Sequence, residues 1–196
     1  MEFTGERVVP DKMAVDIDTY IQHLARYVFA LRYCVGKTVL DAACGEGYGS
    51  ALIANVANSV HGIDIDQESI DLANAKYRPS NLALSFATCD LESGNFFPPA
   101  GSTFFDTIVS FETIEHLENP GFFLRNVKAR LPVGGKFVFS IPRMSFVRFH
   151  KQVYNLQEAQ ALIKKHFKRC DWYGQIFGNI MQLDELSQFF IGVATK

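Results

Sequence analysis

A glycine-rich turn is the first place in this chain where chemistry is expected. Glycine occupies every second position from Gly45 to Gly49, after an apolar stretch that carries Asp41 near its end. Such a turn between a strand and a helix lets a ligand approach the backbone and meet the helix N-terminus, as nucleotide-type cofactors do. A dinucleotide fingerprint would need glycine where the chain has Ser50, and an acid about 20 residues further on, which Asp64 supplies. Asp41 would repel a pyrophosphate and attract a cationic amino-acid group, which favours a cofactor that carries such a group.

A second group of reactive side chains follows the apolar stretch that ends at Phe111. Glu112, Glu115 and His116 lie within about one helical turn, and His150 is the next histidine along the chain. His116 is the predicted catalytic residue, because a histidine can accept the proton of an oxygen or nitrogen nucleophile. Glu112, Glu115 and His116 are also three metal-competent side chains within one turn, so this segment leaves a general base and a metal site open.

Apolar patterns predict the elements that bring these residues together. Strands are predicted at 38–42, 60–64, 82–87, 105–110, 136–141, 169–174 and 188–195, and helices at 14–33, 48–57, 67–77, 120–131 and 156–166. The alternation of strand and helix predicts a parallel sheet with helices on both faces, and the last two strands are expected to form an antiparallel hairpin at one edge. In such a sheet a ligand lies outside the carboxyl ends of the strands. The residues expected at those ends, and hence in one crevice, are Gly45, Asp64, Asp90 and Phe111.

Five sequence segments, in this order, resemble the class I S-adenosylmethionine-dependent methyltransferases. They are DAACGEGYG, GIDID, CDL, FDTIVSFETIEHL and ARLPVGGKFVFSIP, and Ala43 stands where many members carry a glycine. The resemblance implies an α/β fold: a doubly wound, seven-stranded, Rossmann-like sheet that is mostly parallel, with an antiparallel C-terminal edge strand. It also implies S-adenosyl-L-methionine as the cofactor. The predicted activity is methyl transfer to a hydroxyl or amine of a small molecule.

The resemblance also assigns cofactor-binding residues. Asp64 matches the acid that binds the ribose hydroxyls. Asp90 matches the acid that meets the adenine amino group, with Leu91 donating its backbone N–H. The complete predicted set is Asp41, Gly45, Gly47, Asp64, Ile65, Asp90, Leu91 and Phe111, with His116 as the catalytic residue and no metal ligand.

The chain of 196 residues is expected to be a single domain. Its predicted parts are an N-terminal lid segment and helix at 1–35, a cofactor-binding core at 36–142, and a substrate-side segment with the terminal hairpin at 143–196.

The start of the chain suggests an acceptor class. Its TGER opening and its H-L-x-R-Y run from His23 to Tyr27 resemble bacterial methyltransferases of glycan assembly. The resemblance suggests a hydroxylated acceptor such as a sugar or a sugar nucleotide. Arg7 or Arg26 is predicted to pair with the carboxylate of the cofactor.

The composition limits the partners. A net charge of −2, with scattered lysines and arginines, provides no general attraction for nucleic acid, so the expected partner is a small-molecule acceptor. No segment has the form of a signal peptide or of a membrane span, and a cytoplasmic protein without a membrane partner is expected. The chain is expected to be a monomer or a homodimer.

Three other functions stay open at this point. The set of Glu112, Glu115, His116 and His150 resembles the metal-binding motif of small-RNA 3′-terminal 2′-O-methyltransferases, although similar runs occur in class I methyltransferases that bind no metal. A nicotinamide-dependent oxidoreductase could use the same glycine turn. A non-catalytic module could keep the cofactor pocket without turning over an acceptor.

Overall fold

The computed structural model of the chain describes residues 17–77, 82–94, 96, 103–144 and 150–196. Its strands are β1 (Thr38–Ala42), β2 (Ser59–Asp64), β3 (Leu84–Thr88), β4 (Thr107–Ser110), β5 (Lys136–Pro142), β6 (Arg169–Ile176), β7 (Asn179–Gln182) and β8 (Phe189–Thr195). Its α-helices are α1 (Ile17–Cys34), α2 (Tyr48–Ala54), α3 (Gln67–Tyr77), α4 (Pro120–Arg130) and α5 (Leu156–Lys164), and short 3-10 helices span Leu91–Ser93 and Ile114–His116. Within these ranges, every predicted strand and helix has a counterpart.

The strands of the described residues form one eight-stranded sheet in the order β3-β2-β1-β4-β5-β8-β6-β7. Neighbouring strands among β1 to β5 are parallel, and β8 runs antiparallel to both β5 and β6. From β1 the chain proceeds outward through β2 and β3 and then returns to β4 on the other side of β1. This reversal opens a crevice at the carboxyl ends of β1 and β4, where ligands bind in doubly wound sheets. The expected α/β, doubly wound, mostly parallel fold is confirmed.

The C-terminal part of the sheet differs from the prediction in two details. The last strand, β8, is antiparallel as expected, but it lies between β5 and β6 and not at the edge. Its side chains Phe190, Ile191 and Val193 are all buried although they alternate between the two faces, which is typical of an interior strand. The edge is an eighth strand, β7, which pairs with β6 across a tight turn at Phe177 and Gly178. Because β7 is short and mostly exposed, it presents little edge for pairing with another chain.

Two apolar layers cover the sheet, one on each face. Val109 and Val138 belong to the layer that contains α1 and α2, whereas Ile108 and Phe137 belong to the layer that contains α4 and α5. This division follows from the two-residue period of a strand, which sends successive side chains to opposite faces. With both faces covered, polar side chains that must meet a ligand are left to the strand ends.

None of the helices in the described part of the chain combines the length and the apolar character that crossing a membrane requires. The division into a lid segment and helix at 1–35, a core at 36–142 and a substrate-side part at 143–196 stays a prediction. Residues 1–16 of the expected lid lie outside the described residues.

Candidate active site

The glycine turn between β1 and α2 adopts a backbone that favours glycine. Gly45 and Gly47 have φ angles of 54° and 78°, in the left-handed region. A Cβ atom on Gly47 would also lie 2.6 Å from ring carbons of Phe86 and 2.9 Å from the Cβ atom of Ala73. Gly47 therefore lets the turn pack against β3 and α3. Gly45 instead faces open space, with no atom within 4 Å of such a Cβ, so a ligand can approach its backbone.

Asp64, at the end of β2, supports the turn directly. Its Oδ2 atom accepts a hydrogen bond of 2.8 Å from the backbone N–H of Gly45, and its Oδ1 atom accepts one of 3.0 Å from the backbone N–H of Asp66. These two hydrogen bonds fix the carboxylate at the end of β2, next to the glycine turn. The Asp64 carboxylate is thus held by backbone groups while it lines the cavity beside the turn.

This cavity has a volume of about 460 Å³, within the usual range for small-molecule sites. It is lined from the turn, the ends of β2, β3 and β4, and α1: His23, Tyr27, Ala43, Cys44, Gly45, Tyr48, Asp64, Ile65, Cys89, Asp90, Leu91, Glu92, Phe111, Glu112, Thr113, His116 and Leu117. Among the predicted site residues, Gly45, Asp64, Ile65, Asp90, Leu91, Phe111 and His116 are in this lining, whereas Asp41 and Gly47 are not.

Asp90 and Glu92 fix the loop after β3. The Asp90 carboxylate accepts a 2.8 Å hydrogen bond from the backbone N–H of Glu92 and so caps the short helix Leu91–Ser93. The Glu92 carboxylate accepts from the backbone N–H groups of Glu118 and Asn119, at 3.2 and 2.6 Å, just before α4. Asp90 both caps this helix and belongs to the cavity lining.

Asp41 lies beneath the turn, fully buried, and not on the cavity surface. Its carboxylate accepts a 2.6 Å hydrogen bond from the Ser50 hydroxyl and 3.3 Å hydrogen bonds from the Tyr27 hydroxyl. Burial raises the pKa of Asp41 to about 7, and the Ser50 and Tyr27 hydrogen bonds oppose part of that rise. Asp41 therefore supports the turn from behind the cavity wall, and its role in cofactor binding stays a prediction.

Tyr27 is a wall residue whose place in the pocket was not predicted. Its ring packs edge-on against Phe111 at a centroid distance of 5.0 Å and against Tyr48 at 5.5 Å. Gly49 has no side chain where the ring passes: a Cβ atom there would lie 2.0 Å from the Tyr27 ring. Gly49, the third glycine of the turn, is the sequence feature that permits this contact. The sequence does not show that Tyr27 is the partner, because Tyr27 is distant along the chain.

Arg26 does not line the cavity, although it was predicted to pair with the cofactor. Its fully buried guanidinium donates a 2.8 Å hydrogen bond from Nη1 to Oε1 of Gln175, lies 4.6 Å from the centre of the Phe189 ring, and approaches Oε1 of Glu112 to 3.8 Å. Gln175 in turn donates to the backbone carbonyl of Gln22. Arg26 therefore fastens α1 to β6 and β8. The other predicted partner of the cofactor carboxylate, at position 7, lies outside the described residues.

Beyond β4, Glu112 is held in a strained conformation at the cavity. Its φ angle of 52° is in the left-handed region, which costs a residue with a side chain about 1–3 kcal/mol. Two hydrogen bonds with Ser140 offset this conformational cost. The Ser140 hydroxyl accepts from the backbone N–H of Glu112 at 2.9 Å and donates to the Glu112 carboxylate at 3.0 Å. The carboxylate is thereby turned towards β5 and Arg26.

The other three residues of the possible metal set come together. One ligand atom each of Glu115, His116 and His150 can be chosen so that all three lie within 4.8 Å of one another. The two imidazole rings have a centroid distance of 4.8 Å, and Nε2 of His116 lies 3.9 Å from Oε1 of Glu115. Glu112 is not part of this cluster. Of the three, His116 also lines the cavity.

The charges around the cavity decide between the cofactor alternatives. Asp64, Asp90, Glu92 and Glu112 line it, and no lysine or arginine is present in the lining formed by the described residues. Such a surface attracts a sulfonium and an ammonium group and repels the pyrophosphate of a nicotinamide dinucleotide. The aromatic wall of Tyr27 and Phe111, the exposed backbone of Gly45 and the two strand-end acids fit an adenosine that carries a cationic amino-acid chain.

Comparisons with known proteins agree with this geometry. A family model described as a methyltransferase domain matches residues 40–139, more than half of the chain. A probable S-adenosylmethionine-dependent methyltransferase from Mycolicibacterium smegmatis is 32% identical over 84% of this chain and 64% of its own. A ubiquinone biosynthesis O-methyltransferase from Coxiella burnetii is 31% identical over 66% of this chain and 54% of its own. The chain thus spans less than two thirds of the length of these curated relatives.

A solved structure shows the same fold. The N-methyltransferase NodS from Bradyrhizobium japonicum, in complex with S-adenosyl-L-homocysteine, superposes with a TM-score of 0.70 over 98% of this chain and 94% of its own, at 16% identity. Sequence family, fold and the charge of the cavity lead to the same conclusion: the chain belongs to the class I S-adenosylmethionine-dependent methyltransferases, whose cofactor is S-adenosyl-L-methionine.

Proposed function

We propose that this chain transfers a methyl group from S-adenosyl-L-methionine to a hydroxyl or amine of a small molecule, such as a sugar, or a sugar nucleotide whose pyrophosphate would lie outside the acidic cavity. The observation that carries the proposal is a cavity at the sheet reversal lined by four acidic residues, Asp64, Asp90, Glu92 and Glu112, and by no lysine or arginine among the described residues. When bound, the cofactor supplies a methyl group on a sulfonium that an acceptor oxygen or nitrogen can displace in line.

The proposed roles of the binding residues follow from their positions. Asp64, at the end of β2 in the cavity lining, accepts hydrogen bonds from the ribose hydroxyls. Asp90 and the backbone N–H of Leu91 bind the adenine edge. Gly45 keeps the backbone accessible, and Phe111 excludes water from the cofactor side of the cavity.

His116 is proposed as the residue that activates the acceptor. It follows β4, its side chain is 33% exposed, and it lines the cavity beside Glu112 and Thr113. An acceptor hydroxyl or amine that enters the cavity would therefore meet an imidazole able to take its proton. A proton-accepting role predicts that a His116→Asn variant loses turnover while it keeps its affinity for the cofactor product.

The names of two related proteins, the start of the sequence and the net charge support the proposed acceptor class. The Coxiella relative is named an O-methyltransferase and NodS an N-methyltransferase, which supports a hydroxyl or an amine. The sugar assignment comes from the TGER opening, which lies outside the described residues. The net charge of −2 supports a small-molecule acceptor over a nucleic acid.

Calorimetric titration with S-adenosyl-L-homocysteine, with NAD and NADH in parallel, tests the proposal. Micromolar binding of S-adenosyl-L-homocysteine alone, abolished by Asp64→Ala, is expected. Binding of NAD, or no binding of S-adenosyl-L-homocysteine, would reject it. A screen of nucleotide sugars and phenolic acceptors for product formation then separates an enzyme from a non-catalytic module.

A further inference from the structure

We infer that Glu115, His116 and His150 form a binding site for a divalent transition metal of the zinc type at the acceptor end of the cavity. The three side chains come from two segments that are distant along the chain, and nothing in the cofactor site requires them to meet.

The backbone holds the two segments together. Glu115 and His116 belong to the short helix after β4, and His150 precedes α5. The backbone N–H groups of Lys151 and Gln152 both donate to the backbone carbonyl of Glu115, at 2.9 and 3.0 Å. Hydrogen bonds to one carbonyl from the two residues after His150 fix the position of this histidine relative to Glu115. The cluster is therefore a product of the fold and not of long surface side chains meeting by chance.

Burial distinguishes the two sides of the cluster. The Glu115 side chain is 1% exposed, whereas the His116 side chain is 33% exposed and borders the cavity. Protein ligands on one side and an open side towards a cavity are the arrangement of a catalytic metal site, which keeps a coordination position for a ligand.

The donor set selects the kind of metal. Two imidazoles and one carboxylate suit zinc, cobalt and iron, whereas magnesium and calcium prefer oxygen ligands alone. Ligand atoms about 2.0–2.1 Å from a tetrahedral zinc ion lie about 3.3 Å apart. Because the candidate ligand atoms already lie within 4.8 Å of one another, side-chain rotations that move atoms by about one ångström would close the site.

The role of this site at the acceptor rests on the proposed function. A hydroxyl that reaches an open coordination position loses its proton to water more readily, because the ion stabilises the oxyanion. The overall change is one methyl group moved from sulfur to oxygen, with one proton released to water. In this arrangement the His116 imidazole would be a ligand of the ion and would not itself accept the proton, so the metal site replaces the general-base role proposed above for His116. A hydroxyl is then favoured over an amine as the methylated group.

Titration of chelator-treated protein with cobalt(II) tests the site, because cobalt bound by imidazole and carboxylate gives visible absorption bands that need no turnover. One equivalent of cobalt is expected to bind, with displacement by zinc. The variants His116→Ala and His150→Ala should each bind at least tenfold more weakly. His166→Ala removes a histidine of similar exposure outside the cluster and serves as the matched control.

Several results would overturn the inference: no visible bands with the wild-type protein, or equal binding by the wild type and both cluster variants. Thermal unfolding establishes that each variant is folded, and a single folded cluster variant is sufficient for the comparison. If the protein binds S-adenosyl-L-homocysteine but does not bind cobalt, the metal site is rejected and the proposed function is retained. If the protein binds cobalt but does not bind S-adenosyl-L-homocysteine, the metal site is supported and the proposed function is rejected.

Discussion

The Asp64 carboxylate accepts a 2.8 Å hydrogen bond from the backbone N–H of Gly45, which joins the end of β2 to the glycine turn after β1. One side chain therefore both shapes the turn and presents a negative charge to the cavity. Cofactor affinity and the local conformation of the turn are coupled through this carboxylate.

The variant Asp64→Asn separates these two roles. An amide oxygen can still accept from Gly45, so the fold should be retained, but the charge and part of the acceptor capacity are lost. Because hydrogen bonds to charged groups contribute about 1.5–3 kcal/mol, the affinity for S-adenosyl-L-homocysteine should fall about 10- to 100-fold in calorimetry. Asp71→Asn, on the exposed side of α3, is the control and should leave the affinity unchanged. Equal affinities for all three proteins would contradict the role of Asp64.

Asp41 should give the protein a pH-dependent stability. Its pKa rises from an ordinary value of 3.8 to about 7 because the carboxyl is buried. Between these values the folded state binds the proton that the unfolded state has lost, so this group makes stability fall as pH rises from about 4 to about 7. The difference in pKa corresponds to at most about 4 kcal/mol.

Urea unfolding at pH 5 and pH 8 measures this effect. Asp41→Asn cannot titrate, so its stability relative to the wild type should be higher at pH 8 than at pH 5. If the stability difference between the two proteins were the same at both values, Asp41 would not be the titrating group.

Ala43→Gly should stabilise the protein. Ala43 has a φ angle of 66°, and the left-handed conformation costs a residue with a Cβ atom about 1–2 kcal/mol. Glycine relieves this cost and loses somewhat more chain entropy on folding, so a net gain of about 0.5–1 kcal/mol is expected in urea unfolding. Ala51→Gly in α2 is the control and should lose about 1 kcal/mol, since its backbone is helical. A loss of stability in both variants would show that the turn is not strained at Ala43.

Arg26→Met should destabilise the fold without touching the cavity surface. The substitution leaves the buried amide of Gln175 without the donor that now lies 2.8 Å from its oxygen. Loss of one partner of a buried polar contact predicts a decrease of about 2–4 kcal/mol in the free energy of unfolding. Arg32→Met, which removes an exposed arginine of the same helix, should cost less than about 1 kcal/mol. Similar losses for the two variants would argue against a structural role of the buried guanidinium.

Gly49→Ala should perturb the cavity wall through Tyr27. The new methyl group would lie 2.0 Å from the ring, which must shift, and overpacking of this kind costs about 1–3 kcal/mol. Since Tyr27 lines the cavity, the affinity for S-adenosyl-L-homocysteine should fall as well. Gly121→Ala, where the nearest atom is 3.6 Å from the added Cβ, should affect neither quantity adversely. A Gly49→Ala protein with wild-type affinity would show that the Tyr27 ring does not shape the binding surface.

Local patterns in the sequence were sufficient for the order of the elements and for the edge of the sheet at which the site lies. Strand and helix periods are local properties, and parallel strands place their carboxyl ends together, so Gly45, Asp64 and Asp90 could be assigned to one crevice. The family segments supported the same assignment. The position of β8 inside the sheet was not predicted, because the residues of an apolar seven-residue strand do not specify which strands pair with it.

What the sequence by itself determined is therefore the fold class, the cofactor family and the set of acids at the strand ends. The tertiary structure alone decided that Asp41 lies behind the cavity, that Arg26 binds Gln175 across 149 positions of the chain, and that His150 meets Glu115 and His116. The reason is physical: burial and long-range contacts depend on how distant segments pack, whereas periodicity and turn chemistry depend only on neighbours along the chain.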